Sequence, residues 1–259
     1  MKRSLASLLT LFCIGLAASA RGEDVVDIPT RPGVNQRLLV AKPAAPKATV
    51  ILLAGGHGGL GIFPNGSLKW GDGNFLIRSR QYFVEQGLTT VVVDTPSDRP
   101  NLAGFRQTPE HLADITAVIA WARQQDKHPV WLVGTSRGTQ SAAFVATRAR
   151  APEGPDGLVL TSTILKDAKG RPVPAMPLEH LSQPTLVIHH EEDGCAHCLY
   201  ADIGALGAKL AHLPRQQLLS IRGGTSRGDP CEPYAHHGFN GLEREVVAQI
   251  AEWIVAPSR

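Results

Sequence analysis

Apolar positions along this chain follow two rhythms. From about residue 36 to the end, short unbroken apolar runs alternate with longer stretches in which apolar residues return every third or fourth position. The unbroken runs are Leu38–Val40, Ala48–Leu53, Thr89–Val93, Val130–Val133, Gly157–Leu160, Thr185–Ile188 and Gln217–Ile221. Their length and β-branching predict strands, most of them buried on both faces. The periodic stretches predict helices. Phe75–Gln86 is one, ended by Gly87, since glycine adopts the left-handed conformation that closes a helix. Thr108-Pro109 starts another, a capping hydroxyl followed by proline at the first helical position. Leu112, Ile115, Val118 and Ile119 form its apolar face. Thr139–Arg148 is rich in alanine, and Leu199, Ile203, Leu206 and Leu210 recur at helical spacing. A last helix carries Leu242, Val246, Val247, Ile250 and Ile254 on one side, with Glu243 and Glu245 in the first turn, where the dipole favours them. Strands and helices in strict alternation predict an α/β fold, a mostly parallel sheet covered on both faces. No internal repeat, linker or low-complexity tract interrupts it.

The first 20 residues break this rhythm. Lys2 and Arg3 precede a mainly apolar run from Leu5 to Leu16, and Ala18-Ser19-Ala20 follows. Basic start, apolar run and small-residue cleavage site predict a signal peptide over residues 1–20. The run is shorter than the ~20 residues needed to span a bilayer. Residues 21–259 are then expected to form one α/β domain in the periplasm or outside the cell. The formal charge is +3, and losing Lys2 and Arg3 brings it near neutrality. Basic residues are scattered, so neither nucleic acid nor an anionic membrane is an expected partner. Oligomeric state is not legible.

The pentapeptide GTSRG occurs twice, at Gly134–Gly138 and Gly224–Gly228. It fits G-x-S-x-G, the pattern that presents a nucleophilic serine on a tight turn between strand and helix. The flanks separate the copies. Val130–Val133 before the first is a strand, and the small-residue stretch TQSAAFVATRAR after it is a helix. Asp229-Pro230, Cys231 and Pro233 follow the second, so no helix starts there. Ser136 is therefore the candidate nucleophile, and Ser226 a chance match in a loop.

A serine hydroxyl needs a general base, and the base needs an acid to fix its tautomer. After strand Thr185–Ile188 the chain reads HHEEDGC, which offers Asp193, with Glu191 and Glu192 as adjacent alternatives. After strand Gln217–Ile221 it reads YAHHGFNG, which offers His237, with His236 second. Ser136, Asp193 and His237, in that order and each at a strand end, resemble the α/β-hydrolase superfamily, its serine esterases and dienelactone hydrolases in particular. The resemblance spans about residues 36 to 255. It implies a three-layer fold with a mostly parallel sheet of about eight strands and acyl transfer through a serine ester; a carboxylic ester of modest size is the expected substrate. A peptidase or lactone hydrolase would carry the same triad, and a non-catalytic binding protein could use the same scaffold.

The resemblance also implies an oxyanion hole. One donor is the amide after the nucleophile, Arg137, and the other lies in the loop after an earlier strand. That loop reads GGHGG over Gly55–Gly59. Counting from the strand end favours the amide of Gly56 or His57, whereas reading from the histidine favours Gly58 or Gly59. His57 itself is expected to order the loop. Between Thr161 and Pro184 no amphipathic helix is evident, so no large lid is expected. Phe63 and Trp70, in the insertion Gly61–Asn74, either line a substrate pocket or pack the loop down. Asp94 and Asp98 are expected to cap their loop.

Cys195 and Cys198 lie in the acid loop, and Cys231 in the histidine loop. A disulfide from Cys195 or Cys198 to Cys231 would tie acid to base, closing ~35 residues for a gain of roughly 3–4 kcal/mol. Two rival readings exist. CAHC is a C-x-x-C of the kind found in thiol oxidoreductases, although it stands late in the chain for that fold. His189, His190, Cys195, Cys198 and Cys231 are also rich in metal-ligating groups, but no second C-x-x-C or spaced histidine pair completes a known zinc pattern. No metal and no cofactor is expected.

Overall fold

The computed structural model describes residues 22–168 and 170–257, and the predicted leader lies outside them. Eight strands form one sheet: β1 (Asp24–Arg31), β2 (Val34–Ala41), β3 (Ala48–Leu53), β4 (Leu88–Pro96), β5 (Val130–Thr135), β6 (Gly157–Thr161), β7 (Thr185–His190) and β8 (Gln216–Ile221). Their order is β1-β2-β4-β3-β5-β6-β7-β8. The first two strands run antiparallel to their neighbours, and the six from β3 to β8 are parallel.

Strand alternation divides the core in two. Ile51 and Leu53 of β3 point into one cluster, and Val50 and Leu52 point into the other. The first cluster is closed by α3 (Pro109–Gln125), α4 (Arg137–Ala146) and α5 (Ile203–Leu210). The second is closed by α1 (Phe75–Arg78), α2 (Arg80–Glu85) and α6 (Glu243–Val255). Every residue of β3, β5, β6 and β7 is buried, as expected of strands covered on both faces. The result is the expected three-layer α/β architecture.

Three local readings are corrected. β1 was not anticipated: DVVDIPTR carries three charges and a proline, and it survives as a strand because it lies at the sheet edge, where Pro29 interrupts little. The helix expected over Phe75–Gln86 is two pieces. The chain turns at Ser79 (φ −96°, ψ 0°), a conformation near the bridge region that ends the first helical segment. α4 begins at Arg137, two residues earlier than its alanine-rich pattern suggested. Gly87 does take the left-handed conformation, at φ 85°.

After β3 the chain passes to β4 on one side, and after β4 it passes to β5 on the other. Such a reversal opens a crevice at the carboxyl ends of the two diverging strands. The loop after β3 carries Gly55–Gly59, and the turn after β5 carries Ser136. The 162–184 connection contains two short 3₁₀ turns, Val173–Ala175 and Leu178–His180, and no α-helix among its described residues.

Candidate active site

Ser136 joins β5 to α4 with φ 50° and ψ −126°. Non-glycine residues rarely adopt such angles, which cost on the order of 1–3 kcal/mol. The turn is enforced by close packing. A Cβ on Gly138 would lie 1.9 Å from the Leu53 carbonyl oxygen, and one on Gly134 would lie 2.5 Å from that of Gly138. Only hydrogen at both positions lets strand and helix pass so near. The Ser136 amide donates to the Thr161 carbonyl at 3.0 Å, which fixes the turn to the neighbouring strand β6. Ser136 starts the helix with no side-chain cap, so the first helical amide, Arg137, stands at a positive dipole end.

Asp193 and His237 are brought together from loops 44 residues apart. His237 Nδ1 donates to Asp193 Oδ2 at 2.9 Å, and both side chains are buried. A carboxylate only accepts, so this bond leaves Nε2 as the basic end of the ring. Nε2 is buried with no hydrogen-bond partner among the described residues. The other oxygen, Asp193 Oδ1, accepts from the Cys195 amide at 2.9 Å. His189 stands on the far side of the acid, its Nε2 3.6 Å from Oδ2. That ring donates to the Cys198 carbonyl at 2.6 Å. Burial pushes its pKa down against the opposing pull of Asp193.

The neighbouring candidates are occupied elsewhere. Glu191 pairs with Arg222, and Glu192 with His236. The His236 ring stacks on His190 at 4.3 Å. Ser226 lies exposed in a loop between two left-handed glycines, with no helix after it.

The histidine loop is held from several sides. Ser162 Oγ donates to the His237 carbonyl at 2.6 Å. Arg78 Nη2 donates to the Gly238 carbonyl at 2.6 Å and to Glu243 at 2.8 Å, and its Nη1 donates to the Gly73 carbonyl. A Cβ on Gly238 would lie 1.9 Å from the Pro233 oxygen, so the residue after His237 must be glycine. Phe239, fully buried, packs on Phe75 with ring centres 4.9 Å apart.

Ser136 and His237 line one cavity of about 340 Å³, together with Gly55, Gly56, His57 and Gly59. Amide engagement sorts the glycine loop. Gly58 donates to the Gly55 carbonyl, Gly59 to His57 Nδ1, and Leu60, Gly61 and Ile62 to the carboxylate of Asp94. The amides of Gly56 and His57 have no partner among the described residues, whereas those of Gly58 and Gly59 are engaged within the loop. The His57 ring thus takes one hydrogen bond from within its own loop. Asp94 does more than cap, because it gathers three successive loop amides.

The structure decides between the two cysteine pairings left open by the sequence and corrects a further expectation. The disulfide joins Cys195 to Cys231, and Cys198 is not a partner. The turn closed by the Cys198 amide on the Cys195 carbonyl sends Cys198 inward, where its Sγ lies 3.4 Å from the Ser162 carbonyl. Burial and Asp193 push that thiol pKa up, the opposite of a reactive C-x-x-C cysteine. With Cys195 and Cys231 bonded to each other, the five-residue metal set is also lost. Phe63 and Trp70 neither line the cavity nor pack down. Both are exposed, and the Trp70 ring meets His57 edge-on at 6.3 Å. Asp98 pairs with Arg31 at the surface.

Sequence reasoning passed over Arg78, Ser162 and Arg106. Each acts on backbone carbonyls, and no sequence pattern marks such a partner.

No family model and no curated protein matches the sequence, whereas many solved structures resemble it. A dienelactone hydrolase from Anabaena variabilis superposes with a TM-score of 0.62 at 19% identity, over 92% of this chain and 99% of its own. An esterase from Pyrococcus furiosus gives 0.65 at 13% identity, over 90% and 91%. An α/β serine hydrolase without a lid, from Xanthomonas campestris, gives 0.54 at 19% identity, over 96% and 100%. Identities this low speak for architecture alone, and on that the sheet order and the neighbours agree: this chain has the α/β-hydrolase fold, with no lid helix among the described residues of the 162–184 connection.

Proposed function

We propose that the chain is an exported serine hydrolase that cleaves a carboxylic ester of modest size through an acyl-enzyme. The observation that carries this reading is the pairing at the cavity. Ser136, held at a positive φ, shares its walls with a buried His237 Nε2 whose ring is already oriented by Asp193.

The steps follow from that arrangement. Ser136 Oγ gives its proton to His237 Nε2 and bonds to the substrate carbonyl carbon. The carbonyl electron pair moves onto oxygen, where the amide of Arg137 and that of Gly56 or His57 stabilise it. Removing one such donor costs on the order of 3–4 kcal/mol of transition-state stabilisation. The tetrahedral species then expels the alcohol, which takes the proton from Nε2. Water repeats the sequence on the acyl-enzyme, with Nε2 as base. Asp193 holds the ring in place and stabilises the imidazolium. The cavity of about 340 Å³ lies at the small end of ligand sites, and with no lid over it the reading favours a short acyl chain over a long-chain fat. Neighbours named as esterases and a dienelactone hydrolase support hydrolysis. The disulfide and the basic-apolar leader support export. No described helix is long and apolar enough to cross a membrane.

The test is labelling by a fluorophosphonate probe. Wild type and Ser226→Ala should label, and Ser136→Ala should not. An unlabelled wild type would replace this reading with that of a binding protein on a hydrolase scaffold.

A further inference from the structure

Arg106 is a buried cation with no acid beside it. It stands between β4 and α3, it is 6% exposed, and no carboxylate lies within ion-pair distance among the described residues. Burial, with the charge of Arg137 adding to it, pushes the guanidinium pKa down to about 9. The group therefore remains charged at neutral pH. Burying an unpaired charge is costly unless dipoles replace the lost water.

The dipoles in question are carbonyls of the loop after β3. Nη2 donates to the Ala54 oxygen at 2.9 Å, with the Gly56 oxygen at 3.3 Å and that of Gly55 at 3.5 Å. Nη1 donates to Ser141 Oγ at 2.9 Å. Ser141 is fully buried in α4, five residues beyond Ser136. One side chain thus joins the glycine loop to the nucleophile helix.

Peptide geometry turns this contact into a statement about amides. In a planar trans peptide the carbonyl and the following N–H point in opposite directions. Carbonyls of Gly55 and Gly56 drawn toward Arg106 send the amides of Gly56 and His57 away from it. Arg106 borders a second cavity, of about 470 Å³, which shares Gly56 and His57 with the first. Ser136 and His237 border the first, and Gly55 packs so near the nucleophile that a Cβ there would lie 3.0 Å from Ser136 Cβ.

We infer that Arg106 is a positioning residue: by holding the Ala54–Gly56 carbonyls it aims the amides of Gly56 and His57 at the oxyanion formed on Ser136. The inference rests on the serine-hydrolase reading above. It adds the residue that keeps the hole formed before substrate arrives.

The experiment compares wild type with Arg106→Met, Arg106→Lys and Ser141→Ala on p-nitrophenyl acetate. Thermal melting checks folding, and inhibition is measured with a trifluoromethyl ketone, which forms a tetrahedral adduct, and with acetate, which does not. Losing an aimed donor typically lowers kcat on the order of 100-fold. Arg106→Met should lose about that factor in kcat and in ketone affinity, with KM and acetate affinity within about twofold. Arg106→Lys should recover part of both losses, because an ammonium can still donate to a carbonyl. Ser141→Ala, which removes only the anchor on α4, should lose a few-fold in kcat and stays informative if Arg106→Met does not fold. A folded Arg106→Met with wild-type kcat and ketone affinity overturns the inference, as does a fall in kcat with ketone affinity unchanged. A wild type that neither hydrolyses ester nor labels with fluorophosphonate removes the hydrolase reading, and this inference with it. A labelled wild type beside unaffected variants removes the inference alone.

Discussion

Breaking the Cys195–Cys231 disulfide should destabilise the chain and loosen the acid–base pair together. The bond spans 36 residues. Cys195 lies two residues after Asp193, and Cys231 six residues before His237. On the chain-entropy account, closing a loop of that length stabilises by about 4 kcal/mol at 25 °C. For a chain of this size each kcal/mol is worth about 2–4 °C in Tm, so the loss is roughly 8–16 °C. The suitable variant is the double Cys195→Ser/Cys231→Ser, since freeing Cys195 alone would leave it near the Cys198 thiol. Melting followed by circular dichroism, with and without reductant, gives the shift, and ester hydrolysis well below the melting range gives kcat. Reductant should lower the wild-type Tm to that of the double variant and leave the variant itself unmoved. A double variant melting within about 2 °C of wild type would refute the stabilising role. A lowered Tm with kcat unchanged would leave the bond as a staple only, because Asp193 and His237 would then keep their 2.9 Å contact without it.

Two further outcomes follow from local geometry. Gly138→Ala places a Cβ 1.9 Å from the Leu53 oxygen and should abolish fluorophosphonate labelling while lowering stability by about 1–3 kcal/mol; Gly204→Ala in α5, with open space around it, should label normally and gain about 0.5–1 kcal/mol. His111 is buried in α3 with both ring nitrogens unpartnered, and burial, with the charge of Arg106 adding to it, pushes its pKa down to about 3. The unfolded chain therefore takes up a proton below about pH 6.5 that the folded one refuses. Its stability contribution is full above that pH and is lost as the pH falls toward 3. Urea titrations at pH 7.5 and 4.5 should differ by about 2–3 kcal/mol from this group, and His111→Leu should flatten the difference; an unchanged slope in that variant would show that other groups govern acid sensitivity.

The division between what the sequence disclosed and what it hid has a physical basis. Buried strands and amphipathic helices were legible because burial imposes a period on neighbouring residues. β3, β5, β6 and β7 were read nearly to their ends on that ground. β1 was not, because an edge strand is half in water and need not be apolar. Ser136 was separated from Ser226 by flanking pattern alone, and it stands at a positive φ between strand and helix. Cys195 could not be told from Cys198, since two residues in one short turn differ only in which way the turn sends them. Arg106, Arg78 and Ser162 were missed for a more general reason. Their partners are the carbonyls of Ala54, Gly238 and His237, and every residue has a carbonyl. A side chain that bonds to another side chain implies two residue types, whereas one that bonds to backbone implies only itself. The residues that hold a site in shape are therefore the ones a sequence hides best. In a buried arginine without an acid, the search for the missing acceptor leads directly to the backbone being held.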